Sequence, residues 1–141
     1  MSHIEPPAVG AELPGFAHGP LAPELFARYA DASGDHNPLH TDPAFARAAG
    51  LDGVIAHGML VMGLLGRLAD GLAGPGALRE FRVRFRAPTL PGETLRCGGR
   101  VTAAYERDGA TVVEAELWAS GEGGQLKATG TAVAALPGGG R

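Results

Sequence analysis

The run Ser33-Gly34-Asp35-His36-Asn37-Pro38-Leu39-His40-Thr41-Asp42 brings a carboxylate and an imidazole, Asp35 and His40, into one short stretch that cannot stay helical. Pro38 has no N–H to give and disfavours the α region at Asn37, so the chain forms an irregular loop whose ends can fold toward each other. Asp35 and His40 can then share one small reactant. Ser33 and Asn37 are also common turn formers, and both read as ties between this loop and its own backbone. A second pair, His57-Gly58, opens a strongly apolar segment, and backbone N–H groups at a helix start favour a developing negative charge. A carboxylate, an imidazole and an amide donor are the minimum for acid–base chemistry next to a carbonyl.

His36, His40 and Asp42 offer a spacing that superficially suits a metal. The His-x-x-x-His pairing that metals use lies on a helix face, and Pro38 disrupts that face, so no metal is expected.

The motifs extend beyond the loop. Tyr29-Ala30 and Ser33-Gly34-Asp35-x-Asn37-Pro38-x-His40-x-Asp42 are followed by Gly50-Leu51-Asp52-Gly53-Val54-Ile55-Ala56-His57-Gly58-Met59-Leu60, and later by Phe81 to Phe85 and the turn Pro91-Gly92-Glu93-Thr94-Leu95. Together they resemble the MaoC-like, or R-specific enoyl hydratase, family over about residues 10 to 136. Gly50 to Phe85 is similar in particular to the single-hotdog (3R)-hydroxyacyl-ACP dehydratase subunits of actinobacterial fatty-acid synthesis. The resemblance implies the α+β hotdog fold and a hydro-lyase acting on trans-2-enoyl or (3R)-3-hydroxyacyl thioesters of CoA or an acyl carrier protein. It implies Asp35 and His40 as the catalytic pair, the Gly58 N–H as donor to the thioester oxygen, and His57 and Asn37 beside it at the substrate. His57 either orients the loop or touches substrate. No cofactor is implied, and the expected partner is a second hotdog subunit, identical or different. Two alternatives stay open: a thioesterase on the same fold, and a non-catalytic subunit of a heterodimer.

The elements that must position these residues follow from periodicity. Phe16 to Leu21 is a weak strand broken by Gly19 and Pro20. Pro23 to Ala32 fits a helix, with Pro at its first position, Glu24 at its positive end and Leu25, Phe26 and Tyr29 in an apolar stripe, but with Ala22 where a cap belongs. Pro43 to Ala49 is a short helix stopped by Gly50, and His57 to Leu72 is a helix apolar on most sides. Gly63 and Gly66 within it predict close approach of neighbouring backbone. From Leu78 the period becomes two: Phe81, Val83 and Phe85 alternate with Arg82, Arg84 and Arg86, and Val113 to Ala119 alternate with Glu114 to Ser120. Asp108-Gly109 and Gly121 to Gly124 mark hairpin turns.

Length and composition bound the rest. The chain has 141 residues, 45% of them apolar, enough for one core. With 12 Lys and Arg against 15 Asp and Glu, its net charge of −3 offers no overall basic field for nucleic acid. One cysteine excludes an internal disulfide, and the N-terminus lacks a signal-peptide pattern, so a cytoplasmic protein is expected. The longest apolar run is too short to span a membrane. Residues 1–9 read as a flexible lead-in and 137–141, Gly-rich, as a disordered tail. The arginine row Arg82-Arg84-Arg86 reads as a solvated strand face, with docking of acidic partners as the other reading. Cys97, Trp118 and the methionines read as packing.

Overall fold

A computed structural model describes residues 7–136. The proposed tail at 137–141 and the first six residues of the lead-in lie outside the described residues. The element order is β1 (Phe16–His18), α1 (Pro23–Ser33), α2 (Pro43–Ala48), α3 (Gly58–Gly71), β2 (Leu78–Phe85), β3 (Leu95–Arg107), β4 (Ala110–Ser120) and β5 (Leu126–Leu136). The strands form one antiparallel sheet in the order β1-β3-β4-β5-β2. This is an α+β layer: one curved sheet with α3 against its inner face.

Period-two patterning decides which side of the sheet meets the helix. Val113, Ala115, Leu117 and Ala119 of β4 are buried beneath α3, while Glu114, Glu116, Trp118 and Ser120 face outward. On β5 the buried residues include Ala128, Ala132 and Ala134. These small side chains leave room for Val61, Leu64, Leu65 and Leu68 of α3, all buried, so the helix seats closely over the central strands. Asp108 and Gly109, with φ of 52° and 77°, make the tight β3–β4 hairpin that their sequence predicts.

Two expectations change. No neighbouring atom lies within 4 Å of a Cβ built on Gly63, so this glycine answers no close backbone approach; Gly66 meets only the Phe81 ring, at 3.5 Å. Phe85 was placed on the buried side of its strand but is 50% exposed, because it lies at the strand's end beside the helix start.

Candidate active site

α1 stops just before the candidate acid–base loop. Gly34 takes a left-handed conformation (φ 79°) and its N–H returns to the Ala30 carbonyl, ending the helix one residue before Asp35. Three local bonds then shape the loop. The Ser33 hydroxyl accepts from the Asp35 N–H (3.2 Å), Asp35 Oδ1 accepts from the Asn37 N–H (3.2 Å), and Asn37 Oδ1 accepts from the Leu39 N–H (3.0 Å). Asn37 thereby starts a single turn of 3₁₀ helix, Pro38–His40, whose last residue is the imidazole. The side-chain ties read from the sequence for Ser33 and Asn37 are these bonds.

The turn carries His40 back over Asp35. Its Nε2 stands 3.8 Å from Asp35 Oδ2, with the carboxylate half-exposed and the imidazole mostly covered. That separation is too long for a direct hydrogen bond. On the other side of the ring, Nδ1 is 2.8 Å from the Ile55 carbonyl. A carbonyl only accepts, so Nδ1 carries a proton, and in the neutral ring Nε2 turns its lone pair toward the carboxylate. His40 is thus oriented as a base.

A second layer lies beneath. The His57 ring stacks on His40 with centroids 3.8 Å apart and planes 25° apart, and Tyr29 packs on His57 at 4.8 Å. His57 Nε2 donates to the Asp35 backbone carbonyl (3.1 Å). Its Nδ1 is buried without a partner among the described residues, and the residue is 1% exposed. Of the two roles open to His57 in the sequence, this burial supports the orienting one over substrate contact. Because His57 is also the N-cap residue of α3, the same side chain joins Asp35 to the helix start. There the Gly58 and Met59 N–H groups head the helix with no carbonyl of an earlier turn to take them. A Cβ built on Gly58 would lie 3.1–3.4 Å from the Phe85 ring, so glycine keeps this corner narrow yet unblocked.

The segment leading into α3 is fixed by backbone alone. The Ile55 N–H donates to Leu39 O (3.1 Å) and the Ala56 N–H to Thr89 O (2.8 Å). Thr89 belongs to a turn held by a buried ion pair: Lys127 Nζ lies 3.0 Å from Glu93 Oε2 and donates to the Pro88 carbonyl (2.9 Å). Glu93 also accepts from the N–H groups of Leu90 (2.7 Å) and Glu122 (3.0 Å). Burial pushes the Glu93 carboxyl upward, but these donors and the ammonium outweigh it and hold the group below its ordinary value.

The three sequence candidates for a metal do not converge. His36 is 3.9 Å from Asp31 on the surface, and Asp42 caps α2 by accepting from the Ala44 and Phe45 N–H groups. The trio that does gather is Asp35, His40 and His57, with one potential ligand atom from each within 4.8 Å of the others. Stacked imidazoles hold their lone pairs in near-parallel planes, whereas a metal needs them aimed at one point. The donor set does not fit an ion.

The MaoC-like domain profile matches residues 8–121, a stretch that includes Asp35, His40, His57 and Gly58. The chain belongs to the MaoC-like family. This MaoC-like chain is 35% identical over 113 residues to the (R)-specific enoyl-CoA hydratase of Aeromonas caviae, covering 79% of this chain and 83% of that protein. The solved (R)-hydratase from A. caviae superposes with a TM-score of 0.80 at 31% identity, over 92% of this chain and 97% of the other. The 3-hydroxyacyl-thioester dehydratase Y of Mycobacterium tuberculosis is 38% identical over 96 residues, which is 54% of this chain and only 33% of that longer protein. The hotdog architecture expected from the motifs is therefore the fold of this chain.

Sequence reasoning missed the stack and the backbone acceptors. Tyr29 stood in an apolar stripe and in the first motif, which hinted at a buried contact without naming its partner. No residue type marks the Ile55 and Thr89 carbonyls, since every residue carries one.

Proposed function

We propose that this chain is a hydro-lyase that adds water to trans-2-enoyl thioesters and removes it from (3R)-3-hydroxyacyl thioesters, with Asp35 and His40 as its acid–base pair. One observation carries the reading: His40 Nε2, the lone-pair nitrogen of the neutral ring once Nδ1 donates to Ile55, faces the Asp35 carboxylate at 3.8 Å beside the open start of α3. A water lying about 2.8 Å from each group fits that gap. Nε2 takes a proton from it as its oxygen bonds Cβ, and Asp35 holds the other hydrogen. The electron pair displaced from the double bond moves onto the thioester oxygen, where the Gly58 N–H and the helix start stabilise the enolate. Cα then recovers a proton from the same pair, so both additions come from one face. Dehydration runs the path in reverse. Asn37 is the remaining substrate-facing side chain: it is exposed, its Oδ1 serves the loop, and its Nδ2 has no partner among the described residues.

A hotdog partner completes the protein in this reading. β2 is an edge strand of eight residues with one row of backbone groups unpaired, and Phe85 at its end and Met59 on the first turn of α3 are both more than half exposed or at half. A second subunit, identical or different, pairs with that edge and walls the acyl chain. Among the described residues no helix is long and apolar enough to cross a membrane.

The thioesterase alternative is separated by following crotonyl-CoA with two readouts, the enoyl-thioester absorbance and free thiol. Loss of the absorbance without thiol supports the hydro-lyase; thiol release in step with turnover would establish the thioesterase. If neither occurs until a second hotdog chain is added, the chain acts only in a heteromer.

A further inference from the structure

We infer that the outer face of the sheet carries a second ligand site, for a nucleotide bearing two or more phosphates, with Trp118 as the stacking platform and Arg84 and Arg86 as the phosphate clamp. Strand register assembles it. Trp118 on β4 stands opposite Gly98 on β3 and Thr129 on β5, and Thr129 stands opposite Arg84 on β2. The adjoining row runs Arg100, Glu116, Thr131, Arg82. An open groove of about 600 Å³ lies over both rows, a volume in the range of small-ligand sites.

The indole is placed for stacking. Gly98 has no side chain to hold it upright: a Cβ built there would be 2.8 Å from Trp118 Nε1 and 3.1 Å from Cε2, so the ring reclines over β3. Trp118 therefore lies on the open face of the sheet, where packing against the core cannot account for it. An aromatic surface of this kind accepts any base, because every base has a π-face.

The charge around it is unbalanced. Arg100 is occupied by Glu116, with Nη2 and Nε at 2.6 and 3.1 Å from the carboxylate, and Arg82 lies 3.8 Å from Glu80. Arg84 has no carboxylate within 4 Å among the described residues, and Arg86 donates only to the neutral Thr129 hydroxyl, at 3.1 Å. Two guanidinium groups without a carboxylate partner thus stand together on β2, across β5 from the indole, in a chain of net charge −3. Guanidinium forks match phosphate oxygens in pairs, and an anion between like charges relieves their repulsion. Thr129 lies between Trp118 and Arg84 in the same cross-strand row, at the place of a sugar.

The same ligand chemistry has two sources: a free nucleotide, or the nucleotide end of a CoA thioester. The second rests on the proposed function.

Trp118 is the single tryptophan of the chain, so its fluorescence reports on this site directly. Titration with ADP is expected to quench it saturably, adenosine to bind about tenfold more weakly or worse, and the Arg84→Gln/Arg86→Gln double variant to lose about tenfold in ADP affinity with its circular dichroism unchanged. Asp35→Asn is expected to quench as wild type does, which keeps this result separate from the fate of the active-site reading. A raised KM for crotonyl-CoA in the double variant, with crotonyl-pantetheine unaffected, assigns the groove to the substrate's own nucleotide; ADP binding with both substrates unaffected assigns it to a free nucleotide. No quenching at millimolar ADP, equal quenching by adenosine, or full ADP affinity in the double variant would overturn the site. So would a wild-type Trp118 shielded from iodide because sedimentation shows this face covered by a second copy.

Discussion

In the proposed reaction His40 acts through its neighbours as much as through its own chemistry. The Ile55 carbonyl selects the tautomer of its neutral ring, and the His57 ring beneath it joins the Asp35–His40 loop to the helix start. Replacing His57 with Phe keeps a flat ring in the stack but removes the bond to the Asp35 carbonyl. The expected result is a fall in kcat of about tenfold to a hundredfold with a smaller change in KM, read from steady-state kinetics on one enoyl thioester. Gly58→Ala acts differently, because its new methyl group meets the Phe85 ring at 3.1 Å in the corner where the thioester oxygen must approach. Activity should fall while thermal stability stays close to wild type, since Phe85 is half-exposed and can swing outward. Cys97 shows the reverse case of a reactive residue type made inert: burial pushes its thiol up to about 11, against a smaller pull from the Arg67 guanidinium. Alkylation at neutral pH is expected only after denaturant is added. The Asp35 and His40 pairing was legible because Pro38 forbids helix between them. The stack was not, because spacing along a chain says nothing about residues 17 positions apart, such as His40 and His57.

At the scale of elements, the turn before β3 positions the site from a distance. The Glu93–Lys127 pair pins Pro88 to Glu93, and Thr89 in that turn holds Ala56, two residues before the helix start. Lys127→Met leaves the buried Glu93 carboxylate without its ammonium and should cost about 3–5 kcal/mol, measurable by urea denaturation. Glu93 is held below its ordinary value, so its contribution to stability is complete above the unfolded-state value and is lost as pH falls through the folded one. A Glu93→Gln variant should therefore show a flatter loss of stability on acidification than wild type. Within α3, Leu65 is fully buried against the sheet, and Leu65→Ala should cost about 2–5 kcal/mol in the same assay. Periodicity gave α1, α2, α3 and the hairpin strands nearly to their ends, as in Pro23–Ser33 against an expected 23–32. It misread Gly63, whose side faces open space, because propensity cannot tell a glycine kept for packing from one that packing merely tolerates. The Glu93–Lys127 pair was also out of reach, since a carboxylate and an ammonium 34 positions apart look like any two surface charges.

At the scale of the molecule, the fold separates two faces. The inner side of the sheet grips α3 and sets its N-terminus beside Asp35 and His40, while the outer side holds Trp118 on β4 and a row of arginines on β2. β2 belongs to both, for its edge is free to pair and its two faces bear Phe85 toward the site and Arg84 and Arg86 around it. The central claim rests on the acid–base pair, and its most direct test is the rate of crotonyl-CoA hydration, by loss of enoyl-thioester absorbance, in wild type, Asp35→Asn and His40→Gln. Each substitution should keep the fold and lower turnover by about a hundredfold or more. Wild-type turnover in either variant, with its circular dichroism intact, would contradict the assignment.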